Sequence, residues 1–222
     1  MPGLRITDVM TSTAAKLNIK SGSHAVIIVA HPDDETLWTG GVVLMHPEVR
    51  WTILTVCRKS DPDRAPRFAK ACEIYGARGI MADLDDGSEQ VPLPAQMVED
   101  TLGQLMPSDR FDLVLTHGRQ GEYTRHVRHE EVSRAVMALH RNGSLRAPQI
   151  LHFAYDDSGG RYLPQPDSQA EIYIHLDDKI WQKKYEVITD IYKFAPDSWE
   201  ARTTPKQEAF WRFGARQVQN TI

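Results

Sequence analysis

His31, Pro32, Asp33, Asp34 and Glu35 stand in a row directly after the apolar run Ala25–Ala30. The row puts one imidazole and three carboxyl groups at the end of a candidate buried strand. His31 and Asp34 are three residues apart, close enough to reach one point, and Asp33 can aim at it from another side. Pro32 disfavours a helical His31, so the chain must turn here before a helix begins. The positive end of that helix would favour the nearby anions. A plainer reading competes: Asp33 or Asp34 caps the helix and Glu35 completes the turn.

A second cluster follows the run Asp112–Thr116. It opens with His117-Gly118 and continues from Gly121-Glu122-Tyr123 to His126 and His129. His129 lies one turn ahead of Val132, Val136 and Leu139 on the same helical stripe, so it faces the interior. Two histidines and one carboxylate can hold Zn²⁺ and leave a position open for water, the catalytic rather than the structural pattern. Such an ion lowers the pKa of its water from 15.7 to about 7. The sequence supplies His31, Asp34 and His129 as ligands, Asp33 as the base that takes the water's proton, and His126 as acid or electrostatic partner. Fe²⁺ or another divalent cation is an alternative occupant. The same residue types also make the facial triad of non-haem Fe(II) oxygenases, which would use His31 and Asp33 and leave Asp34 free.

Ala30 to Glu35 resembles the AHPDDE signature of the LmbE-like (PIG-L) zinc deacetylases, and Gly121-Glu122-Tyr123 leading to His126-x-x-His129 resembles that family's second motif. The resemblance spans roughly residues 24–142. It implies zinc on His31, Asp34 and His129, with Asp33 as base and His126 as the earlier histidine of the second motif. That family includes enzymes that deacetylate N-acetylglucosamine conjugates. The implied reaction is therefore hydrolysis of an N-acyl amide, acetyl first, on an amino-sugar-type small molecule, releasing acetate and a free amine. Two departures stand out. Thr124-Arg125 occupies a place where one Gly is common, and Val127-Arg128 replaces Pro-Asp. In relatives an Asp before the last histidine can orient the earlier one, and Arg128 cannot do so.

Three further residues are candidates for substrate binding. Arg58 follows the second strand and could clamp a hydroxyl or phosphate. Asp86-Gly87 resembles an Asp-Gly after the third strand in relatives that can bond sugar hydroxyls, although an Asx turn explains it equally well. Tyr123 could help hold an oxyanion or cover the site. His24, His46, His140, His152 and His175 lack motif context and read as structural, with His152, near a strand end, the first candidate exception.

The elements that must position these groups alternate along the chain. Ala25–Ala30, Trp51–Cys57, Gly79–Ala82, Asp112–Thr116 and Gln149–Phe153 read as strands. Glu35–Met45, Arg64–Tyr75, Pro94–Met106 and Val127–His140 read as the helices between them, with stops at Gly76 and Asn142-Gly143. This pattern implies a single-domain, Rossmann-like three-layer α/β fold: a mostly parallel sheet with helices on both faces. Ligands in such sheets bind beyond the carboxyl ends of the strands, where strand order reverses. Residues 1–22 read as an N-terminal arm with a helix around Asp8–Leu17, and residues 23–222 as the catalytic domain. In the tail, Glu171–Leu176 reads as an edge strand, Asp177–Lys193 and Pro205–Gln219 as helices, and Gly159–Asp167 as a loop bordering the site.

Composition narrows the function classes. The chain has 222 residues, 41% hydrophobic and 25% charged, with a formal net charge of −4. That balance argues against nucleic-acid binding through bulk electrostatics. Cys57 and Cys72 are the only cysteines and read as reduced, buried fillers. The N-terminal stretch lacks the apolar core of a secretory signal, and no apolar run approaches the ~20 residues needed to span a membrane. The expectation is a soluble, cytoplasmic enzyme with a small-molecule partner. Self-association is left open, and a non-catalytic zinc- or sugar-binding module is the remaining alternative.

Overall fold

Every residue from Ala25 to Ala30 is fully buried, and alternate residues face different cores. Ala25, Ile27 and Val29 enter one cluster, and Val26, Ile28 and Ala30 enter the other. A strand with both faces covered must be apolar throughout, which explains the unbroken run. The computed structural model describes Leu17, residues 19–124 and residues 126–213. Most of the expected arm, including the helix around Asp8–Leu17, and residues 214–219 of the last expected helix lie outside these. Leu17 and Ile19 pack against the first core.

The chain runs β1 (His24–Val29), α1 (Asp34–Met45), β2 (Arg50–Thr55), α2 (Arg64–Tyr75), β3 (Arg78–Met81), α3 (Ala95–Leu105), β4 (Leu113–Thr116), α4 (Val127–Arg141) and β5 (Ile150–Phe153). Five strands pair in parallel in the order β3-β2-β1-β4-β5. The first two crossovers move one way from β1, and α3 then carries the chain to the other side of it. Strand order therefore reverses between β1 and β4, which opens a crevice at their carboxyl ends. His31 follows β1 and His117 follows β4, so both chemical clusters emerge at that crevice.

Helices cover both faces. Leu37, Trp38 and Val42 of α1 and Phe68, Ala71 and Cys72 of α2 build the first core. Val98 and Leu102 of α3 and Val132, Ala135, Val136 and Leu139 of α4 build the second. Helix α2 stops at Gly76, whose φ of 60° lies in the left-handed region where glycine carries no Cβ penalty. Cys57 and Cys72 are free and buried, one in each core.

The tail departs from expectation most at its last expected helix, Pro205–Gln219, while the short helix Trp199–Thr203 was not expected and the expected helix Asp177–Lys193 ends in a π-helical turn. Residues Gln207–Arg212 form a strand, β9, not a helix. It lies antiparallel between β5 and β8 (Ile172–His175), which makes β8 the sheet edge as expected. Its residues from Glu208 to Trp211 are all buried, so no period-two alternation marks it. Glu208 is tolerated there because Lys184 donates to Oε1 at 2.7 Å and the backbone N–H groups of Gly41 and Val42 donate at 2.7 and 2.8 Å. Between these strands come the small hairpin β6 (Tyr155–Asp156) and β7 (Gln165–Pro166), then α5 (Asp178–Glu186), a π-helical turn at Val187–Ile191, and α6 (Trp199–Thr203). The loop Gly159–Asp167 thus contains β7, and Asp157 just before it accepts from the backbone N–H of Thr124 at 2.6 Å.

Candidate metal centre and active site

Asp33 sits at the N-cap position of α1 but does not cap it. Its side chain makes no capping bond, and its φ of 122° is rare for a residue with a Cβ. The reach-back comes from Glu35, whose Oε2 accepts from the Asp33 N–H at 3.0 Å. Glu35 is itself held by Thr36 and by the hydroxyl of Tyr192, which donates at 2.7 Å. The plain capping reading therefore fails for Asp33. Its carboxylate is free to turn into the crevice, where Arg64 Nη1 donates to it at 2.9 Å.

Three donor atoms converge beside it. Asp34 Oδ2 lies 3.2 Å from His31 Nδ1 and 3.4 Å from His129 Nε2, and those two nitrogens are 3.4 Å apart. Tetrahedral zinc ligands about 2.0–2.1 Å from the ion are about 3.3 Å from one another, so this triangle has the size of one face of a zinc tetrahedron. The backbone N–H of His31 at 2.8 Å and the Trp38 indole N–H at 3.2 Å hold the Asp34 carboxylate in place.

The far nitrogen of each ring meets a carboxylate. His31 Nε2 lies 3.1 Å from Asp86 Oδ1, and His129 Nδ1 lies 2.6 Å from Glu122 Oε2. A ring proton on each of those nitrogens satisfies its carboxylate and leaves the lone pairs of His31 Nδ1 and His129 Nε2 facing Asp34. Carboxylate partners of this kind fix the tautomer and raise the basicity of metal-binding histidines. His117 approaches Asp34 at 3.5 Å but offers no free lone pair. Its Nε2 accepts from the Ala30 N–H at 2.9 Å, and its Nδ1 meets Glu122 at 2.9 Å.

His126 completes the imidazole group. Its ring centroid is 4.5 Å from those of both His31 and His129. Its Nδ1 is buried without a partner, as the missing acid of the second motif implies. Burial first, then His129 and His31, push its pKa down to about 3, so the ring is neutral. Burial first, then the Asp34 carboxylate, push Asp33 in the other direction, well above the usual carboxylate range, against the pull of Arg64. A carboxyl group poised upward in this way suits proton transfer.

His31, Asp33, Asp34 and His126 floor a cavity of about 220 Å³ whose walls include Leu37, Arg58, Arg64, Tyr123, Trp199 and Glu200, and His129 lies buried behind them. The structure thus brings together His31, Asp33, Asp34, His126 and His129, with Arg58, Asp86 and Tyr123 at the same cavity. Asp86 is not free, however. Beyond His31, its oxygens take hydrogen bonds from Arg58 Nε at 3.0 Å and Gln90 Nε2 at 3.0 Å. Tyr123 packs edge-on against Trp199, with centroids 4.8 Å apart.

Four residues here had no role in the sequence reading. Glu122 was visible in the second motif, and a buried acid between two histidines is a signal that spacing alone obscures. Arg64, Trp199 and Glu200 carried no local signal, because only tertiary packing brings α2 and α6 to the crevice. His152, the nearest of the unassigned histidines, donates from Nδ1 to the His117 carbonyl at 2.8 Å, and its Nε2 is buried without a partner.

Comparison with known proteins agrees with this geometry. The family model described as PIG-L, GlcNAc-PI de-N-acetylase, matches residues 26–140, which include both histidine clusters. An uncharacterized protein of Acanthamoeba polyphaga mimivirus is 22% identical over 203 residues, 83% of this chain and 85% of that one. Among solved structures, the 4-carboxy-2-hydroxymuconate hydratase GalB of Pseudomonas putida has a TM-score of 0.55 at 13% identity, covering 90% of this chain and all of that one. The zinc-inhibited form of the teicoplanin deacetylase Orf2 has a TM-score of 0.55 at 11% identity, covering 86% and 97%. At such identities the solved structures share the fold, and a hydratase and a deacetylase share it with each other.

Proposed function

Because the chain belongs to the PIG-L (GlcNAc-PI de-N-acetylase) family and is a deacetylase-type hydrolase, we propose that it removes the acetyl group from an N-acetylated amino-sugar-type small molecule using one divalent cation, zinc in the first instance. The observation that carries this reading is the triangle of His31 Nδ1, Asp34 Oδ2 and His129 Nε2, with edges of 3.2 to 3.4 Å. Its mixed nitrogen and carboxylate donors suit zinc or iron better than calcium or magnesium, which prefer oxygen throughout. A cation bound there supplies Lewis-acid polarisation of the amide carbonyl and lowers the pKa of a water towards 7.

The chain's own residues do the rest. Asp33 takes a proton from the attacking water, and Arg64 aims its carboxylate. His126, neutral at rest, offers an N–H to the developing oxyanion, where a preorganised donor is worth most. Protonated Asp33 then delivers its proton to the departing amine. Arg58, already fixed by Asp86, and Tyr123 at the cavity wall contact the sugar. The Fe(II) facial-triad alternative would need Asp33 as ligand, but that carboxylate is paired with Arg64 while Asp34 faces both rings.

The test is elemental analysis of the purified protein, followed by acetate release from N-acetylated amino sugars with and without a chelator. Near-stoichiometric metal, chelator-sensitive release and loss of metal in Asp34→Ala are expected. Metal lost instead in Asp33→Ala would favour the oxygenase ligand set. Bound metal retained in Asp33→Ala, with no acetate release from any N-acetylated sugar, would overturn this reading in favour of the binding module.

A further inference from the structure

Arg128, which stands where the resembled second motif carries an acid, is almost completely buried, at 1% exposure. It turns away from His126 and into the loop between β3 and α3, residues 82–94. Its Nε donates to the Asp85 carbonyl at 2.6 Å and its Nη2 to the Val91 carbonyl at 2.7 Å. Its Nη1 is paired with Glu131 one turn along α4, and the other oxygen of Glu131 accepts from the Leu93 N–H at 2.8 Å. One guanidinium thus ties down two main-chain carbonyls of the loop, and its partner holds a third main-chain group.

Between the two pinned carbonyls lies Asp86, whose Oδ1 meets the far nitrogen of His31. No helix or strand spans residues 82–94, so side-chain anchors must set the position of Asp86. The first part of the loop is tied to β2, through Ala82 N to Thr55 O at 2.9 Å and Leu84 N to Val56 O at 2.8 Å. Beyond Leu84 the loop's main chain is tied to the body by Arg128 and Glu131, while Arg58 holds the Asp86 side chain itself, its Nε donating at 3.0 Å. We propose that Arg128 is a positioning residue for the metal centre: it latches this loop so that Asp86 holds His31 with its Nδ1 lone pair turned to the cation. Adjacent residues of α4 then serve the same histidine from two sides, His129 by facing its Nδ1 at 3.4 Å and Arg128 through Asp86. The proposal rests on the metal assignment above.

The experiment is a double-mutant cycle read by metal affinity. Zn²⁺ binding is measured by competition with a chromophoric chelator for wild type, Arg128→Gln, Asp86→Asn and the double variant. Losing the carboxylate behind a ligating histidine weakens metal binding by about 10–100-fold. Asp86→Asn is expected to fall in that range and Arg128→Gln to fall about tenfold. The double variant is expected to be no weaker than Asp86→Asn alone, because both act through one contact. Independent, multiplying losses would overturn the latch, as would an Arg128→Gln protein with wild-type affinity. If Arg128→Gln does not fold because Glu131 is left buried and unpaired, the apolar pair Arg128→Met with Glu131→Leu removes both charges together. It should fold and show the same loss, and wild-type affinity in it would equally refute the latch. His129→Ala separates the two levels: undiminished binding there removes the metal site itself, whereas lost binding there with none lost in Arg128→Gln removes the latch alone.

Discussion

Glu122 joins two imidazoles that start from different elements: its Oε2 lies 2.9 Å from His117 Nδ1 and 2.6 Å from His129 Nδ1. Its second oxygen accepts from the Gly118 N–H at 2.8 Å. A single buried carboxylate thereby ties the end of β4 to the start of α4. Glu122→Gln supplies one acceptor oxygen where two are used and presents an N–H to a neighbouring donor. A mismatched buried polar group costs about 1–3 kcal/mol. Metal affinity should fall by about 10–100-fold as His129 loses its carboxylate. Titration calorimetry with Zn²⁺ and a urea melt check the two effects, and an unchanged affinity would contradict the role given to Glu122.

Asp33 is assigned to proton transfer and not to the ion. Asn tolerates positive φ better than most residues, so Asp33→Asn should fold and bind metal as wild type does. Acetate release should drop by about 10²–10⁴-fold, the usual contribution of a positioned base. Arg64→Met should lower turnover less, with metal content intact. Retained turnover in Asp33→Asn at wild-type metal content would refute the base assignment.

The Lys184–Glu208 pair lies wholly inside the fold. Lys184→Met leaves Glu208 with two backbone donors but no countercharge. Breaking one side of a buried pair costs about 3–5 kcal/mol. Urea unfolding should show a shift of that size, with acetate release below the transition unaltered. A shift under 1 kcal/mol would mean that the Gly41 and Val42 N–H groups suffice for Glu208.

His152 provides a pH test that does not depend on the proposed ligands. Burial is the main cause holding its pKa below the ordinary 6.5. The unfolded chain therefore binds a proton near pH 6.5 that the folded chain refuses. Stability should fall as pH drops below about 6.5 and level off below the lowered folded value. His152→Asn keeps a donor towards the His117 carbonyl and removes the titration. Its stability should decline less between pH 7 and pH 5 than that of wild type, as measured by urea midpoints, and parallel declines would rule out His152 as the source.

Much of this molecule was legible in its order of residues. Helix α2 begins at Arg64 and ends at Tyr75 as its stop at Gly76 requires, and the run Ala25–Ala30 declared a strand buried on both sides, because local sterics and burial act over a few residues. The ligand candidates His31, Asp34 and His129 could be named from their place after strands. What tertiary structure alone decided is partnership. Gln207–Arg212 became a strand because a sheet edge and Lys184 awaited it, and nothing within the segment announces either. Arg64 reached Asp33, Arg128 turned away from His126, and Asp86 was committed to His31, each through contacts between residues far apart in the chain. A side chain's type limits the bonds it can make, but only the packed fold determines which groups come within 3 Å of it.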